Sequence, residues 1–370
     1  MRKFLIICGA LLCCILICFC VALIINPSLF HSTVEQPIDT EDPEEPAGPT
    51  VLEGFTFDGN ILVSYAGTAT DIVIPSSYSI RAEDGAFIEG DDYQVTSFAS
   101  GSTTSGPFYE VRESLESVII PEGFTRVDGY CFYNCTALTS VLVPNSIISI
   151  GSFAFSRCSN LTSVDLNNCN QLTSIGRDAF FMCSSLASIN IPSSVKTIDD
   201  EAFYTCNSLV SVVIPSSVTE IGDNAFYSCS SLMSIEVDSA NINYSSIDGV
   251  LFDKEQTLLI CYPAGKTAST YIVPNTVSII GAYSFYGVTS LKNITILENV
   301  NKICDYAFFS ISNFVLTIEA SIPFTIGNNV INSNSLISVP EDSVESYQTA
   351  WIRYADRIYP NIEMGISMVG

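Results

Sequence analysis

Aliphatic residues recur along most of this chain at fixed intervals, with polar residues between them. Residues 138–144 read Leu-Thr-Ser-Val-Leu-Val-Pro, 186–192 read Leu-Ala-Ser-Ile-Asn-Ile-Pro, and 209–215 read Leu-Val-Ser-Val-Val-Ile-Pro. Residues 115–121 precede them as Leu-Glu-Ser-Val-Ile-Ile-Pro, and 232–238 follow as Leu-Met-Ser-Ile-Glu-Val-Asp. A second pattern accompanies the first. It is Ile-Gly-Ser-Phe-Ala-Phe at 150–155, Ile-Gly-Arg-Asp-Ala-Phe at 175–180, Ile-Asp-Asp-Glu-Ala-Phe at 198–203 and Ile-Gly-Asp-Asn-Ala-Phe at 221–226. The step is 23 residues from Phe132 to Phe155, Phe180 to Phe203, Phe203 to Phe226 and Phe285 to Phe308. It is 25 from Phe155 to Phe180, where Asn168-Cys169 lengthens the unit. Self-similarity at such a period signals a stacked repeat architecture.

Each unit reads as one turn of a right-handed solenoid. The Leu-x-x-Val-x-Ile segment predicts a short strand, because β-branched residues dominate it. Its Leu, Val and Ile must point inward, and the proline that follows ends the strand because it cannot donate to a ladder. The Ala-Phe step predicts a tight helical turn on the far side, with the ring inside. One unit cannot bury its own apolar face, so stacking supplies the partner surface, with about ten or eleven turns at roughly 4.8 Å each.

Three segments depart from the unit. Residues 239–266 contain two turn signals, Asp248-Gly249 and Lys254-Glu255-Gln256, between apolar runs. They predict a β-hairpin insertion that projects from the stack or extends it. Near the end, Val344, Tyr347, Trp351, Tyr354 and Ile358 recur at helical spacing and predict a capping helix. At the other end, Arg2 and Lys3 precede 22 uncharged, mostly apolar residues, 4–25. That run is long enough to span a bilayer as a helix of about 33 Å. It predicts an anchor with its N-terminus inside and the rest outside, or else a cleaved secretory signal. Residues 31–50 then mix six acids with Pro37, Pro43, Pro46 and Pro49, which predicts an extended, solvated stalk. The organisation expected is therefore 1–30 signal or anchor, 31–50 acidic proline-rich stalk, 51–110 leading strands and degenerate repeats, 111–340 solenoid, and 341–370 capping helix and tail.

Composition narrows the function. The net charge is −25, from 14 basic and 39 acidic residues. Such a polyanion would be repelled by a phosphate backbone, which argues against nucleic-acid partners. The single histidine, His31, lies beside the apolar run. The rest of the chain therefore lacks an imidazole for a nucleophilic triad or a His-based zinc site. Five of the fourteen cysteines fall at one place in the unit: Cys135, Cys158, Cys183, Cys206 and Cys229. Stacked in register, their Cβ vectors run parallel, which is poor geometry for bridging. They read as buried small residues. Neither a catalytic residue, a metal site nor a cofactor is indicated, and a solenoid without a second domain offers no cleft for a small-molecule substrate.

The unit Leu-x-Ser-Val-x-Ile-Pro-x-Ser-Val-x-x-Ile-Gly-x-x-Ala-Phe-x-x-Cys-Ser-Ser resembles the BspA-type leucine-rich repeat over residues 110–340. The Asp-Gly-Val-Leu-Phe-Asp-Lys hairpin ending in Tyr-Pro-Ala-Gly-Lys and the terminal Val-Pro-Glu-Asp-Ser-Val-Glu-Ser-Tyr stretch are similar to that family's insertion and cap. The match is loose at 76–109 and 298–335, where an irregular sheet is expected. The resemblance implies a surface protein of a host-associated bacterium or protist. It also implies adhesion or binding to extracellular or host-surface proteins, and no shared catalytic residues. The rival reading is a secreted structural or antigenic protein without a dedicated ligand.

If a partner binds, the outward strand positions are the candidates. The third position is serine in six units, Ser117, Ser140, Ser163, Ser188, Ser211 and Ser234, and the fifth varies. Asp165, Asn190 and Glu236 are the polar members of that variable column. A uniform hydroxyl column beside a variable one can form a protein-binding face. Serine also simply suits a crowded, half-exposed strand.

Overall fold

The computed structural model describes residues 54–58, 60–81 and 87–361, all within the compact unit that spans 49–370. The expected anchor and stalk lie outside the described residues. Among those described, no helix is long and apolar enough to cross a membrane.

The repeat folds as a solenoid of about eleven turns with three walls. One wall is the strand sheet. Asp71–Val73, Ser117–Ile119, Ser140–Leu142 and Ser163–Asp165 pair in parallel and in register, one rung per turn. A second wall is built from the two-residue strands Arg126–Val127, Ser149–Ile150, Ser174–Ile175, Thr197–Ile198 and Glu220–Ile221, also parallel. At the Ile-Gly step between walls, successive backbones nearly touch. A Cβ on Gly222 would lie 2.3 Å from the main-chain nitrogen of Asp200, so only glycine fits there without a shift.

The third wall corrects the expected helical turn. It is a run of hydrogen-bonded turns in which, from Phe132 to Phe285, left-handed residues flank each column Phe two positions away on either side. Tyr130 and Asn134 (φ 60° and 59°) flank Phe132, and Phe153 and Arg157 (60° and 64°) flank Phe155. This conformation turns alternate N–H groups sideways, toward the neighbouring turn. Phe132 N–H donates to Ala154 O (2.8 Å) and Asn134 N–H to Ser156 O (2.8 Å), while Tyr133 N–H closes a local bond to Tyr130 O (3.1 Å). A helix would spend all these donors within its own turn and leave the neighbours unconnected.

The Phe rings do point inward, as the pattern requires. They stack at the pitch of the backbone: Phe132 on Phe155 at 5.2 Å, Phe180 on Phe203 at 5.3 Å and Phe203 on Phe226 at 5.5 Å. Each fully buried aromatic of this size contributes about 1.5–3 kcal/mol of apolar burial.

The insertion extends the stack instead of projecting from it. Tyr244–Ile247, Val250–Asp253 and Leu258–Cys261 form an antiparallel meander, and the last of these strands pairs in parallel with Ile279–Ile280. Both faces of its central strand are buried. Leu251 joins the hydrophobic core on one side, while Val250 and Phe252 join the core on the other. The meander is thus a partition between two cores. Tyr262 then takes a place in the aromatic column, 5.0 Å from Phe285.

Beyond it the sheet is regular. Thr270–Ile272, Asn293–Ile296, Val315–Ile318 and Leu336–Val339 pair in register, so the loose motif at 298–335 still folds as full turns. The irregularity falls elsewhere. Residues 186–190 form no strand, and the sheet breaks between Ser163–Asp165 and Ser211–Ile214. The turn before that gap is the 25-residue unit, although the second wall stays in register across it, Ser174–Ile175 pairing with Ser149–Ile150 and with Thr197–Ile198. The leading segment at 76–109 is irregular too: Ser77–Arg81 and Phe87–Gln94 pair antiparallel as an inserted hairpin, while Phe108 still stacks on Phe132 at 4.7 Å.

The expected single capping helix is shorter than its spacing suggested. An α-helix covers Val344–Ala350, a 3-10 helix follows at Ile352–Arg357, and Ile358–Pro360 is a strand pairing with Leu336–Val339. The aromatic residues of the cap nonetheless turn inward and bind the main chain of the last turn. Tyr347 Oη donates to Ala320 O (2.9 Å), Trp351 Nε1 donates to Phe324 O (2.9 Å), and Tyr354 Oη accepts from Val330 N–H (2.9 Å).

Candidate protein-binding face

The outer surface of the strand sheet carries the residues picked out from sequence. Ser117, Ser140 and Ser163 stand opposite one another on neighbouring strands, as do Ser211 and Ser234. Ser163, Ser188 and Ser211 are exposed; Ser117, Ser140 and Ser234 are half-buried. Ser188 and Asn190 are exposed too, but they sit in the unpaired stretch, so the serine column is interrupted there.

Some of these side chains already serve neighbours. Ser117 Oγ donates to Asp71 Oδ1 at 2.5 Å, and Ser234 Oγ donates to the Glu236 carboxylate. Asp165 Oδ1 accepts from the main-chain N–H and from Nδ2 of Asn167 (3.0 and 2.8 Å). Asn190 Nδ2 in turn donates to Asn167 Oδ1 at 2.8 Å, one turn on. Asn167 therefore ties Asp165 to Asn190 across the break. Beneath this patch, burial pushes the Cys169 thiol up to about 11, and the Asp165 and Glu122 charges add to that.

Sequence reasoning undervalued the aliphatic members of the fifth position. Val73, Ile119 and Leu142 stand in register on three adjacent strands at 57%, 37% and 37% exposure, and Val213 is 59% exposed. Val73 was legible, since 71–75 read Asp-Ile-Val-Ile-Pro and match the strand motif. Asp71 and Asn167 had no comparable signal, because their roles come from a neighbouring turn.

The face is flat. Two shallow depressions open away from it, one lined by Glu298, Ile322 and Phe324 and one by Arg157, Met182 and Thr205. Among the described residues, no group of three or more His, Cys, Asp or Glu side chains could hold a metal ion. What the outer sheet offers a partner is a surface of exposed aliphatic and polar columns, of the kind that protein interfaces use.

Register, repeat and stacked core together define a leucine-rich repeat solenoid. The BspA-type leucine-rich repeat region matches residues 102–233, 165–258 and 262–349, and the chain belongs to that family. A leucine-rich repeat protein from Eubacterium ventriosum is similar in structure, with 26% identity and a TM-score of 0.56 over 71% of each chain. A leucine-rich cell surface protein from Faecalibacterium prausnitzii shares the fold, with 22% identity and a TM-score of 0.57 over 90% of this chain and 97% of its own. No curated protein matches the chain.

Proposed function

We propose that the protein works at the cell surface, where the outer face of its strand sheet holds extracellular or host-surface proteins and so mediates adhesion to host or neighbouring cells. The observation that carries this reading is the in-register row of Val73, Ile119 and Leu142, exposed on adjacent strands. Exposed aliphatic side chains aligned on a flat sheet raise no stability of their own and gain by being covered. Membership in a repeat family suited to protein–protein interaction supports the same reading. The apolar run at 4–25 would hold the chain in the membrane, or direct its export, with the acidic segment 31–50 as a spacer. The solenoid from 111 to 340, led by 51–110 and closed by 341–370, is then a scaffold that performs no reaction.

The test is a binding screen of the displayed full chain against matrix and cell-surface proteins, with the triple substitution Asp165→Asn, Asn190→Ala and Glu236→Gln as comparison. Binding that the triple variant loses is the expected result. Binding untouched both by those changes and by Val73→Ser with Leu142→Ser would show that the face is wrongly chosen. External protease on intact cells tests the location, since cleavage of the solenoid requires it to lie outside.

A further inference from the structure

The binding face is not chemically uniform, and its irregularity has a pattern. Leu142 stands in register with Asp165, and Val213 stands in register with Glu236. Each pair places an exposed aliphatic side chain beside a carboxylate on the next strand, at the same outward position, about 4.8 Å away. Both carboxylates are held in place, Asp165 by Asn167 and Glu236 by Ser234. The two pairs are three turns apart, about 14 Å.

Along these strands the charge has one sign, although Lys266 stands beside the last of them, its Nζ donating to Asp248 O (2.7 Å) next to Gly249, which packs on Ser234. From Asp71–Val73 to Ser234–Val237 the outward positions carry Asp71, Glu116, Asp165 and Glu236, and no lysine or arginine among the described residues. Beyond the meander this changes, because Lys292 takes an exposed outward position.

We propose that these first seven rungs accept a basic segment of a partner protein, with lysine or arginine side chains seated at the Leu142/Asp165 and Val213/Glu236 pairs. This rests on the reading that the face binds protein. A lysine or arginine has an apolar stem ending in a cation, and it buries the stem while keeping the head on a polar partner. The aliphatic residue takes the stem and the neighbouring carboxylate takes the head. An extended segment covers about 14 Å in roughly four residues, so one strand-like stretch reaches both pairs.

A chain of net charge −25 attracts any polycation, so the test must separate the two pairs from that background. The probe is a synthetic peptide with two arginines four residues apart flanked by valines, compared with its Arg→Gln counterpart, on the full chain. The arginine peptide is expected to bind at least tenfold more tightly. Asp165→Asn with Glu236→Gln should abolish that preference, while Asp199→Asn with Asp223→Asn, two exposed acids off this sheet, should change it less than twofold. Equal losses from both double variants would mean diffuse attraction and would overturn the proposal. Equal binding of the two peptides, weakened only by Leu142→Ser with Val213→Ser, would keep the face and remove the basic partner. If no substitution on the face altered binding, the functional reading beneath the proposal would fall as well.

Discussion

The Sγ of Cys158 lies 3.0 Å from the main-chain oxygen of Phe132, one turn earlier, and donates a hydrogen bond to it. Cys183 does the same to Phe155 (3.0 Å), Cys206 to Phe180 (3.2 Å) and Cys229 to Phe203 (3.1 Å). The cysteine at this place in the repeat is therefore a small buried residue with a donor, and it occupies a carbonyl lone pair between turns. All five column thiols are free and buried, and burial pushes those of Cys135 and Cys229 up to about 12.

Inertness follows, because the thiolate is the reactive form and burial opposes it. Alkylation of the folded chain at pH 8, read peptide by peptide by mass spectrometry, should modify the half-buried Cys304 well before any column thiol. Unfolding should equalise them. Column cysteines that reacted as fast as Cys304 in the native state would contradict the packing. Cys206→Ala should cost about 1–2 kcal/mol, from a lost hydrogen bond and a small cavity.

Asp178 brings pH dependence to the turn wall. Its side chain is only 6% exposed, with Arg177 Nε at 3.3 Å and Glu201 in the equivalent place one turn on. Burial, reinforced by the Glu201 charge and opposed by Arg177, pushes its pKa from 3.8 up to about 6. The folded state thus holds the proton more tightly than the unfolded state. The resulting stabilisation is full below pH 3.8 and is lost as pH rises through about 6. Asp178→Asn keeps the shape without the charge. It should stabilise the chain by about 2 kcal/mol at pH 7.5 and give little gain at pH 4, as measured by urea denaturation. A variant less stable than the parent at pH 7.5 would mean that the pairing with Arg177 outweighs burial.

Much of this fold is legible in the sequence because it rests on periodicity. A residue such as Val141 faces inward for the same reason as Val118 and Val164, and the unit repeats that reason. What was misread depends on backbone conformation or on neighbouring turns. Thr205 and Met182 adopt left-handed φ (both 59°), which neither residue type favours. At the equivalent place only Asn134 (φ 59°) and Gly287 (φ 82°) are residue types that carry the signal. The cap was read as one helix because Trp351 and Ile358 keep helical spacing. Trp351 instead leaves the helix at φ −110°, ψ 48°, and Ile358 opens a strand. On the binding face the serine column was plain, while the Asp165–Asn167–Asn190 chain needed the turns to be stacked before it could be seen.

Tyr262 stands where the aromatic column otherwise has phenylalanine, and its hydroxyl is buried without a partner. Burial also pushes that hydroxyl's pKa up to about 12. An unpaired buried hydroxyl costs about 1–3 kcal/mol relative to an apolar replacement of the same shape. Tyr262→Phe should therefore raise stability by about that amount, the reverse of the usual effect of a core substitution. Chemical denaturation decides the sign, and a destabilised variant would mean that the hydroxyl finds a partner in solution.

Asn241 joins the inserted meander to the turn before it, and all four hydrogen bonds of its side chain go to main chain. Nδ2 donates to Pro215 O (2.8 Å) and Val218 O (3.0 Å), while Oδ1 accepts from the N–H groups of Asn243 and Tyr244 (both 2.9 Å). The residue is fully buried, so water cannot replace any of these partners. Asn241→Ala leaves the Val218 carbonyl and two N–H groups unpaired, while Pro215 O keeps the Val218 N–H (3.2 Å), and it should cost about 3 kcal/mol or more. Asn241→Asp is nearly the same shape, yet it turns an acceptor toward two carbonyls and buries a charge, so it should cost more than the alanine at pH 7. Lowering the pH to 4 should narrow that difference, because a protonated carboxyl regains one donor. Denaturation of both variants at the two pH values tests the ranking. An aspartate variant as stable as the parent at pH 7 would mean that this asparagine does not pin the meander to the stack.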